Sequence, residues 1–299
     1  MHKRLIGLAL ACSASFLSLT AALMKQQRAE AIASQTVTIN FVGQAGGESF
    51  ACGETYSLGT ANTPVTATDF RFYVSQVALL DAEGNAVPLV LQQDGKWQHQ
   101  DVALLDFEDK TGACANGTTE TRTQVIGSVP AGDYTGLKFT LGVPFSLNHI
   151  DSTLAPSPLN LTSMWWNWNA GYKFARVDLM PVMDTAQTRQ AHHHDGHSQA
   201  FAIHLGSVGC QMDAAEAPVA CSIPNRPEVV LTDFDVNNNL VVADLAALLA
   251  QTNLTENAKD TPGGCMSSPA DSDCAGIMQS LGLPFNDQPS TQQNFFTVE

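Results

Sequence analysis

The chain has 299 residues, 14 of them Lys or Arg and 29 Asp or Glu, which gives a formal net charge of −15. A balance this acidic disfavours nucleic acid and anionic membrane surfaces as partners and suits cations or a basic protein. It also keeps an exported protein in solution.

The first element reads as an export signal. Lys3 and Arg4 precede an apolar stretch over residues 5–24, and Ala31-Ile32-Ala33 makes a small-residue cleavage pattern before Ser34. The apolar stretch is long enough for an uncleaved anchor, and Cys12 after Leu10-Ala11 faintly resembles a lipoprotein site. The polar run 25–30 leading into the A-x-A site favours ordinary cleavage over both. Cleavage after Ala33 removes four basic residues and one acidic one, so the net charge becomes −18. The expected destination is the periplasm, the cell surface or the medium, with no membrane span left after cleavage.

From Thr36 onward, short alternating runs recur at 37–42, 70–74, 86–91, 124–126, 136–141, 172–179, 201–205 and 229–234. Period-two alternation punctuated by Gly, Asn, Asp and Pro predicts an all-β fold, an antiparallel, Greek-key-like β-sandwich. Asp94-Gly95 and Pro130-Ala131-Gly132-Asp133 sit where tight turns belong. No repeat or low-complexity linker divides residues 34–232, and with a helical appendage residues 34–285 read as one domain after a signal peptide over 1–33. A helical period begins only near Ala243 and runs to Leu249, with a second helical candidate at 274–281. These predict a small helical appendage from about residue 240, and residues 286–299 read as a polar, frayed tail.

Loss of Cys12 with the signal leaves six cysteines of the seven: Cys52, Cys114, Cys210, Cys221, Cys265 and Cys274. An even count in an exported chain points to disulfides, and without C-x-x-C or zinc-finger spacing thiolate metal sites are disfavoured. Cys210 with Cys221 and Cys265 with Cys274 would each close a short loop, leaving Cys52 with Cys114. Six cysteines admit other connectivities, which spacing alone leaves open. Among them, Cys210 to Cys221 is the expected bridge, since the two flank a short loop containing Pro218.

The histidines form three groups. His149 and His204 each adjoin an apolar strand-like run, which implies partial burial and either a hydrogen-bonded core role or ligation. In Trp97-Gln98-His99, residues two apart on a strand would set an indole beside an imidazole. Imidazoles with few other donors suit copper, especially Cu(I) with its low coordination numbers, and make a poor calcium or structural zinc site. The loop of His192, His193, His194 and His197 would collect transition metals weakly, without the rigid shell that a selective site needs.

Residues 164–174 hold three of the four tryptophans, Trp165, Trp166 and Trp168. On a strand Trp166 and Trp168 would share one face and Trp165 the other, so one face is core and the opposite face needs another explanation. Asp233, Asp235, Asn237, Asn239 and Asp244 fit a calcium-loop spacing loosely. Asn238 stands where that loop needs Gly, and a turn of Asx side chains leading into a helix at 241–249 is the stronger reading. No hydrolytic motif or phosphate-cradling glycine loop is present.

With these residues in view the chain resembles the MbnP family of exported copper-binding proteins, the four-Cys-motif members of a metallo-mystery pair. The resemblance rests on Arg71-Phe72-Tyr73-Val74-Ser75, the run 102–108, Gly142-Val143-Pro144-Phe145 with Asn148-His149, the run 165–174, and His204-Leu205-Gly206-Ser207 ending at Cys210. It covers most of residues 36–285. It implies a β-sandwich holding one copper, with a dihaem peroxidase-like (MbnH-like) partner that oxidises a tryptophan to kynurenine. The related copper proteins MopE and CorA are similar in setting a kynurenine near Cu(I). Carried over by motif, His149 and His204 are the first ligands and His99 the third, with Trp97, Trp165, Trp166 and Trp168 as candidates for modification. The expected function is copper acquisition or storage by a non-enzyme. The alternative from another class is an exported interaction module whose aromatics meet a partner or glycan, with calcium as a further candidate; a copper redox enzyme is weaker still.

Overall fold

The structure, a computed structural model, describes residues 33–167, 169–182 and 200–299. The segment read as an export signal, Trp168 and the histidine cluster at 192–197 lie outside the described residues. Two main sheets face each other. The first has the order Phe296–Val298, Leu240–Asp244, Ser34–Ala45, Gln124–Pro130, Val90–Leu91, with Glu48–Ser49 folded back on Ser34–Ala45. The second runs Glu228–Leu231, Gly136–Leu141, Thr63–Leu80, Ala175–Pro181, Phe201–Leu205, Gly264–Cys265. Its spine is the 18-residue strand Thr63–Leu80, long enough to carry several partners along each edge. Ala175–Pro181 and Gly136–Leu141 share one edge in succession, while Thr55–Leu58, Val102–Asp106 and Ala86–Pro88 line the other.

The β-sandwich expected from alternation is therefore the observed fold, with two refinements. Ser34–Ala45 pairs with Leu240–Asp244 in parallel, and Phe201–Leu205 pairs with Gly264–Cys265 in parallel. The run 86–91 is two strands: Ala86–Pro88 pairs in the second sheet and Val90–Leu91 in the first, so the chain changes sheet at Leu89.

The layer between the sheets is aromatic. Phe41 stands edge-on to Phe72 at 6.2 Å and to Phe139 at 5.7 Å. Phe296 reaches the same two rings at 5.4 and 5.1 Å. Each such ring taken out of water contributes roughly 1.5–3 kcal/mol.

Two sequence expectations are corrected here. The tail 286–299 is not frayed, because Phe295 and Phe296 are 1% and 2% exposed and Phe296–Val298 adds a strand beside Leu240–Asp244. The helix expected at 241–249 covers only Leu245–Leu249, since Val241 and Ala243 hold ladder positions between two neighbouring strands. Asp244 ends that strand and caps the helix, accepting from the backbone N–H of Ala246 and of Gly46. The second helix, Cys274–Ser280, forms close to where it was expected.

All three disulfides are present: Cys52–Cys114, Cys210–Cys221 and Cys265–Cys274. Among the described residues no helix is long and apolar enough to cross a membrane.

Candidate metal centre

The second sheet is buried on both faces where Thr63–Leu80 runs through its middle. Phe70, Phe72 and Val74 point inward to the aromatic layer; Asp69, Arg71, Tyr73 and Ser75 point to the outer face and are also buried. The outer face is roofed by the connection over residues 145–174. Tyr73 donates to the carbonyl of Pro158, and Arg71 Nη1 donates to Ser163 Oγ.

Across this covered face, paired residues make a row over four strands: Asp106, Arg71, Arg176 and His204. One step along lie Asp69 and Asp178, themselves opposite each other. Arg71 makes a bidentate fork on Asp69 and stands 3.7 Å from Glu108. Arg176 bridges Asp69 at 3.1 Å and Asp178 at 2.6 Å, and His204 Nε2 meets Asp178 Oδ1 at 2.8 Å.

This network tunes its members. Burial opposes charge on Arg71, yet the fork on Asp69 and the charges of Asp106 and Glu108 raise its pKa and keep it cationic. Burial pushes Asp106 up to about 7, aided by the Glu108 charge and resisted by Arg71. Burial works against ionised Asp178 as well, but hydrogen bonds and charge from His204 and Arg176 hold it down at about 2. Lys173 falls to about 8 through burial and the nearby Arg176.

The tryptophan stretch forms a small hairpin, Trp165–Asn167 with Gly171–Tyr172, lying over this face. Trp165 packs against the core, and its Nε1 is buried with no hydrogen-bond partner among the described residues. Trp166 turns the other way, its ring centre 6.4 Å from that of His204. Gly206 permits this: a Cβ there would sit 2.4 Å from the Trp166 ring and 2.9 Å from the Tyr172 carbonyl.

His149 is linked to the hairpin through its neighbour Asn148. It follows the short helix Phe145–Asn148, and its ring lies 4.9 Å from that of Phe145. Asn148 is 1% exposed; its Oδ1 accepts from the backbone N–H of Tyr172, which leaves its Nδ2 to donate to His149 Nε2. Gly171 at φ +80° makes room, since a Cβ there would strike the Asn148 amide at 2.5 Å.

The structure thus brings Trp166 to His204 and ties His149 to the same hairpin through Asn148 and the backbone N–H of Tyr172. His99 is elsewhere, on Gln98–His99, with its Nε2 3.2 Å from the Gln100 amide. Trp97 faces the Lys96 ammonium at 5.0 Å, and no ring contact joins it to His99 among the described residues. The ligand atoms of His149, His204 and His99 do not all fall within 4.8 Å of one another. At the loose calcium spacing, Asp235 accepts from Asn237 N–H and Asn238 Nδ2 in an Asx turn, and Asp244 is the helix cap.

A family model, MbnP, matches residues 34–267. The chain belongs to the MbnP family. Among solved structures, MbnP from Methylosinus trichosporium superposes with a TM-score of 0.75 at 29% identity, covering 89% of this chain and 99% of that one. No curated protein matches the chain. The buried ionic row of this MbnP-family chain was missed by motif reading. It had a signal: Asp69/Arg71, Asp106/Glu108 and Arg176/Asp178 are charges two apart inside apolar runs, where one strand face carries them together.

Proposed function

We propose that this protein is an exported copper-binding member of the MbnP family, not an enzyme, which holds Cu(I) by histidine beside a tryptophan. The observation that carries the reading is His204. Its Nε2 donates to Asp178, which leaves Nδ1 as the nitrogen that can ligate, and a carboxylate behind an imidazole is a common device for orienting and strengthening a metal ligand. The donors suit the ion in kind, since imidazoles serve copper well and Cu(I) tolerates few ligands. At His149 the lone pair on Nε2 accepts from Asn148 Nδ2, and a metal at that nitrogen replaces this hydrogen bond. His149 and His204 are the first ligands; His99, whose Nε2 meets the Gln100 amide on a separate strand, is not counted with them. Copper, when bound, supplies a soft cation to be stored or handed on; the chain supplies orientation and a cover.

Among the described tryptophans, Trp166 is the one beside a candidate ligand, and we assign it as the indole converted to kynurenine. Such oxidation at one position needs a directed oxidant, and the chain has no haem-attachment motif. A dihaem peroxidase-like partner using peroxide fills that role. Protein matured with the partner is expected to carry one kynurenine at Trp166, and protein made alone none; peptide mass mapping reads the difference, and equal scatter over all four indoles would sink the assignment.

Copper content tests the rest. About one tightly held copper per chain is expected, lost on His149→Ala or His204→Ala and retained when His192, His193 and His194 are all changed to Ala. The reverse pattern would move the site to the loop.

A further inference from the structure

Beyond the histidines, one set of metal donors stands assembled and switched off. The hairpin Val208–Met212 with Pro218–Ile223 sets Cys210 directly opposite Cys221, and the two are bonded. His149 Nε2 lies 3.5 Å from Cys221 Sγ, and the three ligand atoms of His149, Cys210 and Cys221 all lie within 4.8 Å of one another. A thiolate is a metal ligand, whereas a sulfur in a disulfide has spent that electron pair in the S–S bond. We propose that the Cys210–Cys221 disulfide is a redox gate: a dithiol reductant opens a His149, Cys210, Cys221 site that takes one Cu(I), and exchange with an external disulfide closes it.

The imidazole is already aimed. Because Asn148 Oδ1 is committed to Tyr172 N–H, its Nδ2 donates to His149 Nε2, so that nitrogen is in its unprotonated form 3.5 Å from Cys221 Sγ, and a metal bound there takes over the lone pair that Asn148 now holds. The sulfurs are reachable: Cys210 and Cys221 are both half-exposed, on a hairpin that pairs with neither main sheet. Cys114, Cys265 and Cys274 are buried, so each of the other bridges has a shielded sulfur. Backbone pairing continues on either side of Cys210 and Cys221, at Val208 with Ile223 and Gln211 with Ala220, which holds the two side chains together once the bond opens. The grouping of Cys52, Cys114 and Glu108 is not equivalent. Its carboxylate is occupied by the backbone N–H groups of Lys110 and Thr118, and it is a hard oxygen donor ill-suited to Cu(I).

The step balances. The S–S bond breaks as it takes two electrons and two protons from the dithiol, which becomes a disulfide. Cu(I) then displaces the two thiol protons and is held by two thiolates and one neutral imidazole, a soft set with net charge −1. Reoxidation removes two electrons from the sulfurs, remakes the bond, and strips the ion of two donors at once.

This inference shares only His149 with the copper reading above, and the test separates them. Folded protein is treated with a dithiol, freed of it under argon, and titrated with Cu(I) against a chromophoric chelator. Alkylation and peptide mapping should find two thiols, at Cys210 and Cys221. X-ray absorption should then show sulfur around copper, and the copper affinity should rise by more than about tenfold over oxidised protein, at least the scale of a single tuning contact. Reduced His204→Ala protein should keep the sulfur-bound copper even though its oxidised form has lost the tight site. The double variant Cys210→Ser with Cys221→Ser should show no sulfur around copper under either condition. If that variant fails to fold, alkylating the two thiols of reduced wild-type protein before titration supplies the same contrast. Two thiols at these positions with no sulfur in the copper shell, or first reduction at another bridge, would overturn the proposal.

Discussion

The two faces of the strand Thr63–Leu80 are equally dry and are built on opposite principles. Inward, Phe70, Phe72 and Val74 join a layer in which contact with Phe41, Phe139 and Phe296 is stabilising by area alone. Outward, Asp69 and Arg71 are as deeply buried, and there every charge depends on a named partner. The apolar face tolerates any filling of the right volume; the ionic face tolerates no loss of one member alone. Ion pairs seldom contribute more than well-packed apolar side chains would in the same place. What they supply here is position, with Asp178 fixing the ring of His204.

The largest break is on the apolar side. Deleting residues 290–299 removes Phe295 and Phe296, each worth roughly 3–5 kcal/mol if it behaves as other buried aromatics do. The sum approaches the whole stability of a typical domain, about 5–15 kcal/mol, so no cooperative denaturant transition is expected from the shortened chain.

Next comes a matched pair. Phe72→Ala and Arg71→Ala should each cost about 3–5 kcal/mol in denaturant melts. Adding Asp69→Asn should recover part of the loss in the Arg71 variant, by removing one stranded charge, and none in the Phe72 variant. Equal behaviour of the two doubles would erase the distinction between the faces.

Smaller is Gly206→Ala, where the added methyl meets Trp166 and the Tyr172 carbonyl. Overpacking of this kind costs about 1–3 kcal/mol. The near-ultraviolet dichroism of the tryptophans should change with it, since Trp166 must leave His204.

The smallest effect is in pH. Asp106 has its folded pKa raised to about 7, above the ordinary carboxylate value near 4. The folded state therefore holds the extra proton between those limits, and the contribution, full below about pH 4, is lost as pH rises through about 7. The slope is on the order of 1 kcal/mol per pH unit at most. Asp178, lowered to about 2, runs the other way: its contribution is present above about pH 4 and lost as pH falls through about 2. Asp106→Asn should flatten the upper limb and leave the acid limb in place, which melts between about pH 2 and 8 would show.

Much of the fold was legible because alternation is a local signal. The strands at 70–74, 136–141 and 201–205 stand where period two placed them, and the split of Trp165 from Trp166 follows from the same rule. What failed depends on distant neighbours. Nothing near Phe295 says that a strand waits at 240–244, so a polar-looking tail with two aromatics reads as loose. Val241 to Asp244 would continue a helix if the flanking strands were not there to take their backbone groups. The ionic face was hidden for a related reason: charges two apart on a strand ordinarily face water, and only the roof over 145–174 turns that face into an interior. Of the candidate centre, the partial burial of His149 and His204 follows from their apolar settings. Asp178 and Asn148, which hold them, carried no motif.

The parallel pairing at Ser34–Ala45 also bears on how the chain comes together in time. That strand meets its first long-range partner at 124–130 and its second at 240–244, where Asn40 stands opposite Leu240. Its second partner is closed in turn by Phe296–Val298. A chain emerging from its amino end must therefore hold an aromatic surface open, with one strand edge unsatisfied, until its last segment arrives. Entropy of loop closure on that scale makes such folds slow, in the millisecond-to-second regime of non-local β topologies. Phe41 and Phe72 are in the meantime the surface a holding chaperone would meet, and the interval ends only when the carboxyl-terminal phenylalanines reach them.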